Sequence, residues 1–388
     1  MTSANLGFPR IGAHRELKTA VESYWAGKVS KDELLATAKK LRADNWQLQK
    51  QAGIDVIPSN DFSFYDQVLD TSIMVGAIPD IYRGLGKTDS LEVYFAMARG
   101  TQTGGKESST DVPAQEMTKW FDTNYHYMVP EVETNQNFAL SSSKAVDQFN
   151  EAKALGIITR PVVIGPVTYL LLAKSKETGF DPVSLLPKLL PVYVELLNNL
   201  KTAGAEWVQI DEPALVLDIS DSARDAFKSA YSELAKVSGI KLMLTTYFGA
   251  LGDNLKTATE LPVAGLHVDL VRNPEQLDSV INATKDQVIS LGVVDGRNIW
   301  KSNLTAILDR IEAISKSRQV QIAPSCSLLH TPIDLALETK LDAQVKDWLA
   351  FATQKLDELN ILSTAISKGR DSVSEKLAAN AKSISNRK

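Results

Sequence analysis

The stretch GFPRIGAHRELK, residues 7–18, gathers Arg10, His14, Arg15 and Lys18 around one acid, Glu16. Basic side chains this close together suit a local site for an anion such as a carboxylate. A helix beginning near His14 or Arg15 puts Arg15 and Lys18 three apart on its first turn. There, free backbone N–H groups and the helix dipole add positive potential. The same residues also read as ordinary surface charge, with Lys18 paired to Glu22 at i+4.

Carboxylates supply the second set of candidates. Short apolar runs along the chain end in Asn60 and Asp61, Glu131, Asp211 and Glu212, Thr245 to Tyr247, His267 and Asp269, Asp295, and Ser325 to Ser327. A pair such as Glu131 and Glu212 suits acid-base or glycosidase work if the separation is right. The plain alternative is that acids at strand ends cap helices or bond loop amides. Metal chemistry looks poor. Cys326 and His330 are four apart, but zinc takes three or four ligands, and His14, His126 and His267 fall on other elements. No glycine-rich phosphate cradle is present.

These candidates must be positioned by regular elements. RELKTAVESYWAG and KDELLATAKKLRADNWQLQKQAG carry apolar residues at helical spacing, so residues 1–50 read as a loop and helical extension. Eight runs then read as strands: IDVIPSND, YHYMVPE, RPVVIG, EWVQIDEP, KLMLTTY, GLHVDL, VISLGVVDG and VQIAPSCS. Helical patterns such as VSLLPKLLPVYVELLNNLKTAG separate most of them. Alternation of this kind implies parallel strands and crossovers, hence an α/β (β/α)8 barrel over residues 51–350, with an open doubly wound sheet as the fallback. In such a barrel the strand C-termini form the functional face. GTQTGGKESSTD at 100–111 and SKETGFD at 175–181 read as polar surface loops. Residues 351–388 turn from helical to polar and read as a linker toward a further unit.

Composition narrows the partners. The 388 residues are 44% hydrophobic and 23% charged, which is globular material. With 42 Lys+Arg against 47 Asp+Glu, a net −5, no general field favours nucleic acid or an anionic membrane. A single cysteine, Cys326, forbids an internal disulfide and suits a reducing, cytoplasmic setting. Arg10, Arg15 and Lys18 interrupt any signal-peptide core, and Arg160, Pro161 and Pro166 break the most apolar stretch, at 155–173.

In order, GFPRIG, RELK, IPSNDFSFYDQVLD, EMTKWFDTNYHYMVPE, VQIDEPALVLD, LTTYF, GLHVDLV, GVVDGRNIW, SCSLLHTPIDL and WLAFATQKL resemble the N-terminal half of the cobalamin-independent methionine synthases, from about Asn5 to about Leu359. The resemblance implies transfer of a methyl group from a 5-methyltetrahydrofolate polyglutamate to homocysteine, giving methionine. It implies two facing barrels, with a catalytic Zn2+ and the reacting centres in the C-terminal barrel of the same polypeptide, and no cobalamin. On this reading the present half has no catalytic residue and is inactive alone. Arg15, Glu16, Leu17 and Lys18 of RELK, Lys119 of MTKW and Asn124 of DTNYHY match positions that hold the folate's glutamate tail. A self-sufficient carboxylate-dependent barrel hydrolase and a purely structural barrel are the alternatives.

Overall fold

The computed structural model describes residues 2–101 and 111–387. Most of the polar loop expected at 100–111 therefore lies outside the described residues. Eight parallel strands form one sheet in the order β1 (Thr2–Ser3), β10 (Val320–Pro324), β9 (Val288–Val294), β8 (Gly265–Asp269), β7 (Lys241–Thr245), β6 (Trp207–Asp211), β5 (Arg160–Ile164) and β2 (Pro58–Ser59). The sheet curls until its edges meet. Ala4 bridges Val56 in parallel, Asn5 N–H donates to the Val56 carbonyl at 2.9 Å, and Val56 N–H donates to the Ser3 carbonyl at 3.0 Å. The result is a (β/α)8 barrel, as the alternation predicts.

Three expectations need correction. YHYMVPE is not a barrel strand: its β4 (His126–Met128) pairs antiparallel with β3 (Met117–Lys119) in a separate hairpin, Lys119 facing His126. The missing barrel strand is β1, at the start of the chain, so the barrel's first strand precedes residue 51 while helices Glu16–Trp25 and Lys31–Gln51 form the rest of the opening segment. Residues 351–388 likewise begin as part of the barrel. Helix Ala352–Lys368 buries Ala352, Leu356, Leu359 and Leu362 at helical spacing against the main core, and only the later helix Ser374–Asn386 is mostly exposed.

Local chemistry explains the elements. All seven residues of β9, VISLGVV, are buried, the continuous apolar run of a strand covered on both faces. Helix Lys31–Gln51 starts with a reciprocal capping box between Ser30 and Glu33. Asp66 caps helix Gln67–Met74 by accepting the Val68 and Leu69 N–H groups, while its other oxygen accepts Met128 N–H and ties β4 to the barrel. Inside the barrel Arg160 reaches across from β5 to Gln321 of β10 at 3.0 Å and Gln209 of β6 at 3.1 Å. Burial pushes this guanidinium down to about 10.

The turn after β5 is tightly built. A Cβ on Gly165 would lie 2.0 Å from the buried Glu212 carboxyl. Gly165→Ala is therefore expected to destabilise the fold by about 1–3 kcal/mol through overpacking. Urea melts matching wild type would show that Glu212 moves freely, contrary to this packing.

Candidate functional site

Helix Glu16–Trp25 begins where the sequence places it, but Arg15 enters it in the left-handed region, at φ 65°. Gly12, at φ 84°, lets the preceding loop turn; a Cβ there would meet the Glu16 carboxylate at 2.1 Å. That carboxylate accepts His14 N–H at 2.9 Å, so Glu16 braces the loop. Leu17 turns inward to a core with Val21 and Leu34. Arg15 and Lys18 are exposed; Lys18 lies 3.6 Å from Glu22, the exposed i+4 pair, and Arg15 forms no ion pair among the described residues. The N–H groups of Glu16 and Lys18 carry no internal partner among the described residues. This end of the helix suits an anion.

Lys119 and Asn124 sit on opposite sides of the β3–β4 turn, both exposed. Lys119 forms no ion pair among the described residues, and the Asn124 carbonyl lies 3.0 Å from His126 Nδ1. No hydrogen bond joins these residues directly to Arg15 or Lys18 among the described residues. The link runs through Arg10. Its buried guanidinium donates to the Tyr65 carbonyl and to the Tyr125 hydroxyl, and lies 5.1 Å from the Tyr125 ring centroid. One end of the basic stretch is thus fastened to the hairpin beside Asn124.

The hairpin lies on the C-terminal mouth of the barrel. Trp120 is buried there, and Phe121 packs on Phe248 after β7, centroids 5.9 Å apart. Both backbones are left-handed, at φ 48° and 77°, a costly geometry for bulky residues that surrounding contacts must hold. His330 packs against Phe248 and Tyr125 at 5.6 and 6.2 Å, and burial pushes it down to about 4. Beneath this lid remains a cavity of about 50 Å3, lined by Asn60, Asp61, Asp211, Tyr247 and Trp120. It has room for a few waters, not a sugar ring.

The strand-end acids are used internally. Asp211 accepts Gln209 Nε2–H at 2.8 Å and Tyr247 O–H at 3.0 Å; Glu212 accepts Thr168 N–H at 2.7 Å and Tyr231 O–H at 3.2 Å. Burial pushes both to about 7. Asp61 accepts Phe8 N–H at 2.9 Å. Glu131 bridges Lys174 and pairs with Lys176 at 2.9 Å. Carboxylate-pair hydrolysis finds neither free acids nor room.

Among the described residues the candidate zinc ligands are not gathered. His267 Nδ1 lies 2.8 Å from Ser290 Oγ and its Nε2 3.3 Å from the Ser325 carbonyl, with its pKa pushed down to about 3 by burial. Burial also raises the Cys326 thiol well above its ordinary value. Among the described residues no three His, Cys, Asp or Glu side chains gather as ligands.

Three residues that hold the hairpin tip escape a reading of local sequence. Asp122, at the hairpin tip, is held by Arg272 and Arg297. Their placement follows from strand-end acids: Asp269 accepts the Arg272 N–H at 2.9 Å and Asp295 the Arg297 N–H at 2.8 Å. The spacings DLVR and DGR at consecutive strand ends are the only sequence signal.

Fold and site define an α/β barrel that presents cations around a hairpin-capped face and keeps its own acids for structure. A family model described as "Cobalamin-independent synthase, N-terminal domain" matches residues 2–319, and the chain belongs to that family. It is 58% identical over 401 residues to the 5-methyltetrahydropteroyltriglutamate–homocysteine methyltransferase of Nitrobacter winogradskyi, covering 99% of this chain and 52% of that protein. The protein of the same name from Candida albicans is 54% identical, with 98% and 51% covered. The chain thus spans about half the length of the curated relatives it matches. Among solved structures, a putative vitamin-B12 independent methionine synthase from Listeria monocytogenes shares the fold at TM-score 0.63 and 14% identity, with 94% of this chain and 99% of that one covered. A B12-independent methionine synthase from a Shewanella species does so at TM-score 0.58 and 14% identity, with 91% and 92% covered.

Proposed function

We propose that this chain is the folate-tail-binding and scaffolding half of a methyltransferase that carries the methyl group of a 5-methyltetrahydrofolate polyglutamate to homocysteine. The observation that carries the reading is the arrangement of Arg15, Lys18 and Lys119: exposed cations on two elements that Arg10 fastens together. The relatives' printed name, with its pteroyltriglutamate, supplies the matching anion, a string of carboxylates. On this reading Arg15, Lys18 and Lys119 bind tail carboxylates, Asn124 donates its side-chain amide, and Glu16 and Leu17 fix the turn. Zinc and homocysteine belong to the half of the relatives' length that this chain does not span. Among the described residues no helix is long and apolar enough to cross a membrane.

Exposed pairs contribute about 0.2–1 kcal/mol each, so three give roughly 1–3 kcal/mol, about a 5- to 150-fold preference for a longer tail. Calorimetry of this chain with the monoglutamate and triglutamate forms of 5-methyltetrahydrofolate measures that preference. It should weaken with salt, and Lys18→Ala with Lys119→Ala should remove most of it. Equal affinity for the two forms would leave a structural barrel as the better reading.

A further inference from the structure

The hairpin tip makes contacts with three successive strand-end loops that the binding of a tail does not require. Arg272, after β8, grips the Asp122 carboxylate; Arg297, after β9, lies 3.4 Å from it and also donates to the Asp122 carbonyl. Arg297 is 21% exposed in its side chain, whereas Asp122 is 75% exposed. The cation is therefore the fixed member. Its guanidinium lies 5.3 Å from the Phe248 ring centroid and its backbone is pinned by Asp295. Asp122 is the exposed member seated on it, and the two arginines hold its carboxyl below the usual carboxylate range.

The residue before Asp122 carries the strain. Phe121 at φ 48° meets Phe248 at φ 77°, and such conformations persist only while neighbouring contacts over-determine them. Within the hairpin, Trp120 N–H donates to the Tyr125 carbonyl at 2.8 Å, and Thr123 Oγ1–H donates to the Trp120 carbonyl at 2.6 Å. The turn from Trp120 to Tyr125 is one hydrogen-bonded unit. Whatever fixes Asp122 therefore fixes Lys119 and Asn124, one residue outside and one inside that unit.

We infer that Asp122, Arg272 and Arg297 form a positioning latch: by holding the hairpin tip on the barrel mouth they set Lys119 and Asn124 for a polycarboxylate tail that the latch itself does not touch. This deepens the proposed function and rests on it for the ligand. The latch differs from the Arg10 anchor, which holds the hairpin by Tyr125 from the other side.

The test uses this chain with Asp122→Asn, Asp122→Glu and Arg297→Gln. Two readouts are taken: calorimetric affinity for 5-methyltetrahydrofolate monoglutamate and triglutamate, and amide exchange across residues 117–128. Asp122→Asn and Arg297→Gln are expected to weaken triglutamate binding about three- to tenfold, leave the monoglutamate nearly unchanged, and speed hairpin exchange without altering the barrel's. Asp122→Glu, which keeps the charge, should restore most of the discrimination. Triglutamate affinity in Asp122→Asn equal to wild type overturns the positioning role, and unchanged hairpin exchange overturns the latch whatever the ligand does. If the wild-type chain shows no preference for the triglutamate, the tail reading fails and takes the positioning role with it, while the exchange result separately tells whether Asp122 holds the tip.

Discussion

Arg10→Ala is expected to cost about 2–4 kcal/mol of stability and to abolish most tail binding, the widest loss from a single substitution outside the barrel interior. The side chain is buried, and it contributes two charge-assisted hydrogen bonds and a cation–π contact to Tyr125. Tyr125 also donates to the Tyr65 carbonyl at 3.1 Å, so its hydroxyl keeps a partner when Arg10 is removed. The cost is therefore that of the lost contacts and the space left behind, without a stranded phenol. Arg10→Lys should recover little, because a point charge cannot span two acceptors as a planar fork does. Urea melts and triglutamate calorimetry check both variants. A melt coinciding with wild type, with tail affinity intact, would mean that the hairpin is held without Arg10.

The second large effect is one of pH. Asp66, Asp211 and Glu212 are each raised by burial to about 7, while His267 and His330 are lowered by burial to about 3 and 4. A raised carboxyl holds a proton in the folded state that the unfolded chain has already released. Stability from it is present below the unfolded value near 4.5 and is lost as pH rises through about 7. The histidines act oppositely, adding stability as pH rises toward their unfolded value of 6.5. The two sets partly cancel below pH 6.5. The histidines stop offsetting near 6.5 and the carboxyls finish ionising just above 7, so stability is expected to fall most steeply between about pH 6 and 7 and to level off above that. Glu212→Gln keeps the shape and removes one proton from this balance. At pH 8 it should be more stable than wild type by about 2–3 kcal/mol, and at pH 5 nearly equal to it. Melts at the two pH values decide; a variant destabilised equally at both would show that Glu212 is held ionised by Thr168 and Tyr231.

Seven of the eight runs read as barrel strands are barrel strands, because strands buried on both faces leave a continuous apolar record. The eighth failed for a physical reason. YHYMVPE is an apolar run ending in an acid, which a hairpin strand packed on the core leaves as readily as a barrel strand, whereas the true first strand is only Thr2–Ser3, two polar residues held by their neighbours' backbones. The last segment reads as linker because Leu356, Leu359 and Leu362 form a stripe on one helix face rather than a continuous apolar run. At the site, RELK announced itself through charge density. Asp122 did not: its partners lie 150 and 175 residues away, and an acid in a turn looks like any other. Asp211 and Glu212 looked reactive in sequence, and their bonds to Gln209, Tyr247, Thr168 and Tyr231 show them to be internal braces.

The closure of the barrel through β1 also has a temporal side. Thr2 and Ser3 pair with Gln321 and Ile322, so β1 leaves the ribosome long before its main partner β10. Until then β1 has only the Val56 edge to dock on, although Arg10 and the Arg15–Lys18 turn already have Tyr65, Tyr125 and the Leu34 core as partners. Loop-closure entropy over so long a separation delays that final pairing. A nascent chain shorter than β10 would thus keep an open seam beside β1, with Arg10 already able to reach its hairpin partner and the barrel closing last.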